Sequence, residues 1–563
     1  MSTPEYRIEP VAHHHLTDEP TEGLADEKKV MLGSEGMVTV QEVSLAEKVM
    51  EAEETFSQAE YSKLKRKVDW VLLPLMWWCY GIQQTDKTGL GTMNLYGLQK
   101  STGMQGNQYS LLTVVFYVAY ALFEFPSNFV LQRYNMGKTL TIYMFIWGIV
   151  VLVQAFLNDW ASFMALRFLQ GAFECTISPG FNLIIASWYT TREHNARSLV
   201  FQSANAGWGI VVDLSLLGIA KAANKEVGGF DAWRGIAIFL GGQTLIASAI
   251  AWFLLGTPNE VRWLSAKEKI MANARVMSNH AGTDLTGRKT WKWDQVKEAF
   301  LDPVTWFQFI NAFLSSVANG AITTFGSVSE AHMTQAERQV INKSFGFTND
   351  EVIIYGIPRS IVSVLWFAVV GYTTLRVKGV RMYFMLFSSL PPFAGLLGLA
   401  LLPADVKYKW DKWGLYLCTV TFVLPLFTSC EHSEAGPPSL GEGFDMSDIG
   451  SLISSNCAGR TKRSVLSSLS FIAYCTGNIA GSQVMKAKDA PHYIPGTIAI
   501  AACMGVEFLN NLCWRFWLVY QNKKKLAHMV TMNMTTEAME IKAQELGAED
   551  VTDKQNPYFI YSL

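Results

Sequence analysis

The chain has 563 residues, half of them hydrophobic and only 17% charged, against roughly 25% in ordinary soluble domains; its mean hydropathy is +0.16. Its 46 basic and 48 acidic residues leave a net charge of −2, which gives nucleic acid no electrostatic footing. The apolar residues gather in stretches of about 18–25, the length that crosses a hydrocarbon core of roughly 30 Å. A string of soluble domains is therefore excluded, and the chain's solvent is a lipid bilayer.

Residues 1–64 open the chain as an acidic, polar segment (Asp18, Glu19, Glu22, Asp26, Glu27, Glu51, Glu53 and Glu54 among them). It is too poor in apolar side chains to build a core, so a disordered tail is predicted. No secretory signal is seen there, and His13-His14-His15 reads as part of a solvated tail rather than a metal site. Helices are predicted near 69–89, 109–132, 138–157, 160–188, 198–220 and 233–256. A polar loop, 257–302, follows, and then a second set near 303–325, 351–374, 380–402, 413–429, 463–486 and 494–520. The fold class is thus an all-α membrane protein of twelve transmembrane helices, with six-helix bundles at 65–256 and 303–522 and a polar tail at 523–563. Two six-helix pseudo-repeats around one loop are a common transporter plan. The eight cysteines show no metal-ligand spacing and lie mostly in apolar runs, as small core residues do.

Lys and Arg in the loops give the orientation. Lys63, Lys65, Arg66 and Lys67 precede helix 1; Arg133 and Lys138 follow helix 2; Arg192 and Arg197 follow helix 4. The central loop is basic, as are the turns carrying Arg376, Lys378 and Arg381 and Arg460, Lys462 and Arg463, and the run Lys523 to Lys525. All fall on one side, so both termini are predicted to be cytoplasmic. Two polar runs interrupt the second bundle, 327–341 and 430–450; the latter leaves helix 10 about 16 residues long, below the ~20 a span needs. Gene-model errors and lineage-specific loops both account for them, and the sequon at Asn342 lies at the edge of the first.

Several motifs appear in order along the chain. Asp86-Lys87-Thr88-Gly89-Leu90-Gly91 ends helix 1, and Phe123-Glu124-Phe125-Pro126-Ser127-Asn128 lies in helix 2. Gln132 to Lys138 forms the next loop, with a degenerate echo from Gly371 to Arg381. Arg167-Phe168-Leu169-Gln170-Gly171-Ala172-Phe173-Glu174 with Pro179-Gly180 marks helix 4. The second half carries Ser455 to Arg463, Gly477-Asn478-Ile479-Ala480-Gly481 and Ala490 to Gly496. From about 65 to 525 this series resembles the major facilitator superfamily, and within it the fungal allantoate permease family of anion:cation symporters. The resemblance implies proton-coupled uptake of a small organic anion (a carboxylate such as allantoate, nicotinate, pantothenate or biotin) by alternating access in the plasma membrane. It implies no cofactor beyond the proton as coupling ion, and a monomer is expected.

A charge inside the bilayer costs at least roughly 2.5–3.5 kcal/mol on insertion scales, so each one asks for a reason. Arg167 lies about 10 Å into helix 4, where a guanidinium grips a carboxylate with two parallel hydrogen bonds. Gln170 and Glu174 continue the same face; substrate binding is expected of Arg167 and Gln170, and proton coupling of Glu174, with a fixed interhelical ion pair as the alternative. Arg359 sits about 13 Å into helix 8, near the midplane, where substrate sites of such proteins lie. Asp213 reads either as a proton acceptor or as a partner for Arg167 or Arg359. Asp86 is a further coupling candidate or a helix-end charge. Glu124 is expected to form a gate with Arg133 and Lys138. Asn478, with Gln202, Asn205, Asn311 and Asn319, is a cavity-lining candidate that interhelical hydrogen bonding explains equally well. Glu507 reads as structural, and Gly207, Gly209, Gly477 and Gly481 as sites of close helix approach. No nucleotide loop, metal cluster or nucleophile motif suggests an enzyme; a nutrient sensor, a uniporter or an exporter remains the alternative.

Overall fold

The computed structural model describes residues 29–31, 37–39 and 56–562, apart from 191–192, 194–196, 198–199, 202, 224–230, 278–291, 326–346, 348, 378–379, 404–405, 423–455, 487–492, 532–541, 543–545 and 547–550. The histidine triplet, Arg192, Gln202, Lys378, the sequon and both polar runs lie outside the described residues. Within the tail, Lys29–Met31 and Met37–Thr39 pair as a short antiparallel hairpin (β1, β2), the one departure from an otherwise helical chain among the described residues.

The first bundle comprises α1 (Gln58–Leu95), the short α2 (Leu98–Thr102), α3 (Gln108–Arg133), α4 (Met136–Gln154), α5 (Trp160–Glu174), α6 (Ile177–Trp188), α7 (Ala204–Ala223) and α8 (Ala232–Leu254). The central loop contains α9 (Ala266–Met277) and α10 (Trp293–Leu301). The second bundle runs through α11 (Pro303–Phe325), α12 (Asn349–Arg376), α13 (Arg381–Leu401), α14 (Lys409–Leu417), α15 (Arg460–Ser482) and α16 (Ile494–Thr531). The tenth span is described only through α14 and the 3-10 turn Cys418–Phe422 that continues it.

Helix 1 starts earlier than expected, inside the segment assigned to the tail. Ser57 caps it, accepting a hydrogen bond from the Glu60 amide at 3.4 Å, while the Glu60 carboxylate accepts from the Ser57 amide at 3.0 Å. This reciprocal box satisfies two donors that a bare helix start leaves open. The fourth span is not continuous: α5 ends at Glu174 and α6 begins at Ile177. Pro179 explains the break, since its ring conflicts with the carbonyl four residues back, that of Cys175.

Six described helices are long and apolar enough to cross a membrane outright: α3, α4, α8, α12, α13 and α16. The others that complete the twelve-span plan, including α1, α5–α6, α11 and α15, carry the polar and charged residues, so their apolar windows are diluted. They are held by packing instead. A Cβ on Gly481 would lie 2.1 Å from the Val317 carbonyl oxygen, and one on Gly477 2.5 Å from that of Phe313; glycine lets α15 and α11 meet backbone to backbone. The expected close approaches divide at α7: Gly207 packs on Trp77, whereas nothing lies within 4 Å of a Cβ on Gly209.

The two halves touch along α3–α15 and α7–α12. The Tyr109 hydroxyl donates to the Thr324 carbonyl at 3.1 Å and Ser110 to Gln483 at 3.4 Å. Farther along α3 and α15, Tyr117 meets Tyr474 and Tyr120 stacks on Phe471, at ring separations of 5.9 and 5.7 Å. Among the described residues, these polar and aromatic bridges lie at the end remote from the central loop and in the middle of the seam.

Candidate functional site: a buried charge cluster in the first bundle

Three helices of the first bundle bring charge to one place. Asp86 and Lys87 come from α1, and Trp147 and Gln154 from α4. Arg167, Gln170 and Glu174 come from α5, three and seven residues apart, a spacing that stacks side chains on one helix face. Asp86, Arg167, Gln170, Gln154 and Glu174 are all buried, none more than 3% exposed.

The hydrogen bonds are specific. One oxygen of Asp86 accepts from the Trp147 indole at 2.8 Å and from the Gln170 amide. The Gln170 oxygen accepts from Gln154 at 2.8 Å, and its amide also reaches Glu174 at 3.4 Å. Lys87 faces Glu174 at 3.5 Å and sits 5.3 Å over the Tyr120 ring. That Glu174 oxygen accepts no hydrogen bond, so the pair is loose. The break after α5 helps here: the freed Glu174 carbonyl accepts from Gln83 at 3.3 Å, and Gln83 is held by Ser178 at 3.2 Å. Arg167 is the least satisfied member, with Nε and one terminal nitrogen, Nη2, buried and without a partner. Buried donors are nearly always paired, and each orphan costs roughly 1–3 kcal/mol, so the site holds cationic capacity that its own side chains leave unfilled.

Of the residues singled out by sequence, Asp86, Arg167, Gln170 and Glu174 come together here. The others do not. Arg359 lies on α12 in the second bundle, half-buried, with its guanidinium 5.3 Å over the Tyr416 ring. Asp213 forms no ion pair with Arg167 or Arg359; the expectation of a fixed partner is corrected, because nothing cationic among the described residues reaches it. Glu124 is buried, with one oxygen unpartnered, and makes no contact with Arg133 or Lys138, which are exposed. No gate of those three exists here, since Arg133 ends α3 and points its charge to solvent. Asn478 is corrected as a cavity-lining residue: it is fully buried, accepts from Asn319 at 2.9 Å and donates to the Tyr474 carbonyl at 2.9 Å, a joint of the α11–α15 seam. Lys87, Trp147 and Gln154 were missed. The signal for Lys87 stood beside Asp86 in the motif, but nothing in sequence joins α4 to α1. A depression of about 650 Å³ between α13 and α14, lined by Leu401, Trp410 and Asp411 among others, contains none of these residues.

The loop end is organised by ion pairs. Glu260 accepts from the Met136 and Gly137 amides at 2.8 and 3.0 Å, which fixes the start of α4. Glu193 pairs with Lys65 at 2.7 Å and with Arg275 of α9. Burial pushes its carboxyl up, but the Lys65 hydrogen bond and the charges of Arg275, Lys65 and Arg197 outweigh this and hold it below the ordinary 4.5. In the second bundle, Lys462 meets Asp302 at 2.6 Å, Asp553 at 2.7 Å and Glu298 at 3.0 Å.

Two helical bundles threaded through a membrane, each carrying buried polar groups near their common seam, define a polytopic membrane transporter. The Major Facilitator Superfamily profile matches residues 76–455, more than half of the chain, and the chain belongs to that superfamily. It is similar to the allantoate permease of Saccharomyces cerevisiae, 28% identical over 537 residues and covering 92% of this chain and 90% of that protein. An uncharacterized transporter of Schizosaccharomyces pombe is 28% identical over 514 residues, covering 89% of each. Among solved structures, a bacterial homologue of the human lysosomal transporter Spinster, inward-facing and unoccupied, superimposes with a TM-score of 0.53 at 14% identity, covering 82% of this chain and 96% of that one. That likeness speaks for the fold alone.

Proposed function

We propose that this transporter takes up a small organic anion, a carboxylate, together with protons by alternating access, with both termini cytoplasmic, in the plasma membrane and as a monomer. The observation that carries the reading is the unfilled cationic capacity of the cluster. Two nitrogens of Arg167 lack partners, and Lys87 has only a loose ion pair. A carboxylate presents two acceptor oxygens and fits such a pair with charge-assisted hydrogen bonds. The 28% identity to an allantoate permease supports the same substrate class. Arg167 and Gln170 bind the anion; Glu174 and Asp86 are the carboxylates through which a proton acts. Arg359 and Asp213 lie apart from the cluster and have no part in this first contact. No cofactor is required, since the proton gradient supplies about 1.4 kcal/mol per pH unit.

The test is radiolabelled uptake of a panel of small carboxylates in yeast lacking its own permeases, at pH 5 and pH 7. Acid-stimulated accumulation of one anion is expected, with Arg167→Ala reducing it at least tenfold at unchanged surface expression. Binding or growth signalling without accumulation would instead identify a sensor and remove the transport cycle.

A further inference from the structure

Arg515 carries a positive charge that the fold leaves uncompensated. It lies on α16, and the helix axis from Ile494, where α16 begins, to Arg515 covers about 31 Å at the usual rise per residue. That is the whole thickness of a hydrocarbon core of roughly 30 Å. Tyr383, whose ring the guanidinium covers at 3.7 Å, stands in the first turn of α13, which starts at Arg381. Both measures put the pair at the boundary between hydrocarbon and headgroups, on the side where α16 runs on to Lys523 and Lys524. Arginine keeps its charge in any protein surroundings, yet Nη1 is buried without an acceptor, and among the described residues no carboxylate pairs with the group. The neighbouring acids are placed elsewhere: Lys462 holds Asp302 and Asp553, and Glu507 lies two turns away on the buried face of α16. The Arg515 side chain is only half-buried. Around it Tyr383, Phe387, Phe516 and Tyr520 are exposed, and tyrosines at this depth belong to the membrane–water interface.

We propose that an anionic phospholipid docks between α13 and α16, its phosphate accepting hydrogen bonds from Arg515 and its acyl chains lying along Phe387 and Phe516. A guanidinium matches two phosphate oxygens with parallel N–H donors, and stacking on Tyr383 occupies one of its faces while leaving an edge for that contact. Lys523 and Lys524, both exposed farther along α16, add to the positive potential that draws an anionic headgroup. A phosphatidylcholine headgroup is the poorer ligand, because its own quaternary ammonium neutralises the phosphate that Arg515 would hold. The bound lipid ties the ends of two helices to the headgroup layer, and such interfacial anchors set helix tilt. α13 and α16 then keep their inclination while the bundles move against each other. In the orientation proposed above this is the cytoplasmic leaflet, but the chemistry of the contact does not depend on which leaflet supplies the lipid.

The experiment uses the purified full chain in phosphatidylcholine nanodiscs, with or without phosphatidylserine, both leaflets alike. Phosphatidylserine and phosphatidylcholine analogues carrying a photoreactive headgroup are cross-linked to the protein, and the labelled peptides are mapped by mass spectrometry. Labelling by the phosphatidylserine analogue should concentrate on the peptides that hold Tyr383 and Arg515 and exceed that by the phosphatidylcholine analogue about fivefold. Arg515→Gln should bring it down to the phosphatidylcholine level, and Arg515→Lys should keep part of the preference. Phosphatidylserine should also raise the unfolding midpoint of the wild type but not that of Arg515→Gln. Each protein is compared with itself in the two membranes, so a loss of stability in the variant does not blur the result. Inorganic phosphate added to the discs should leave the labelling unchanged. Equal labelling by the two lipids would reduce the contact to ordinary annular lipid and overturn the proposal. Displacement of the label by inorganic phosphate would overturn it as well, since the site would then take the free anion.

Discussion

Single atoms decide several outcomes in this protein, and glycines show it most directly. A Cβ at Gly481 would sit 2.1 Å from the Val317 carbonyl oxygen, whereas at Gly209 nothing lies within 4 Å. Gly481→Ala must spread α11 from α15, an overpacking cost of about 1–3 kcal/mol. Gly209→Ala, in the interior of α7, removes backbone freedom from the unfolded chain and should be neutral or stabilising by up to about 1 kcal/mol. Thermal unfolding in detergent should therefore lower the midpoint for the first and leave or raise it for the second; equal shifts would contradict the packing described. The same scale sets what the sequence could reveal. Arg167, Gln170 and Glu174 were legible because helical spacing alone places them on one face. The Trp147–Asp86 bond was not, since it joins helices whose mutual rotation no local pattern encodes. Asn478 misled because a buried amide in a seam and one lining a cavity have the same sequence signature.

Among the elements, the central loop departs furthest from its sequence pattern. A basic, polar stretch reads as a loop, yet α9 is fastened to the first bundle through Glu193, Lys67 and Glu60, and α10 to the second through the Glu298–Lys462 pair. Besides these charges α9 buries Met271, Ala272, Ala274 and Val276; that apolar face is only three turns long and lies among charges, so it does not stand out as a periodic pattern. Helix 4 taught the reverse lesson: its apolar length suggested one span, and Pro179 breaks it. The Glu193 pairing has a pH signature. Its carboxyl is held below the ordinary 4.5 in the folded chain, so the unfolded chain binds the proton more readily. The stabilisation is then fully present above about pH 5 and is lost as the pH falls through 4.5 towards the lower folded value. Compared with Glu193→Gln, the wild type should show a higher unfolding midpoint at pH 6–7, with the gap closing as the pH is lowered towards 4. A gap that widens with acid would mean that Glu193 does not anchor α9 through its charge.

For the molecule as a whole, the end of the chain is part of the architecture rather than a loose tail. Residues 551–562 return beneath the second bundle. Asp553 meets Lys462 at 2.7 Å, the Tyr561 hydroxyl donates to Asp553 at 2.8 Å, and Asn522 of α16 exchanges hydrogen bonds with the Tyr561 backbone at 2.8 Å. Lys525 donates to the carbonyls of Asp553, Asn556 and Phe559, and Asn456 exchanges hydrogen bonds with the Ser562 backbone. The strap thereby joins α16, the start of α11, α10 and the start of α15 into one block. One substitution and one deletion separate its charge from its packing. Lys462→Met takes the ion-pair partner of the buried Asp553 and leaves Asp302 only Lys554, at 3.7 Å; losing one partner of a buried pair costs about 3–5 kcal/mol. Deleting 551–563 removes one of those carboxylates together with the strap, leaving Lys462 paired with Asp302 and Glu298. The deletion alone also takes the partners of Lys525, Asn522 and Asn456, so it should lower the unfolding midpoint in its own right. Combined with Lys462→Met it should cost less than the sum of the two, because Asp553 is no longer there to be stranded. Strict additivity in that cycle would show that Asp553 and Lys462 do not depend on each other, and the strap would then be held by its backbone contacts to Asn522, Lys525 and Asn456.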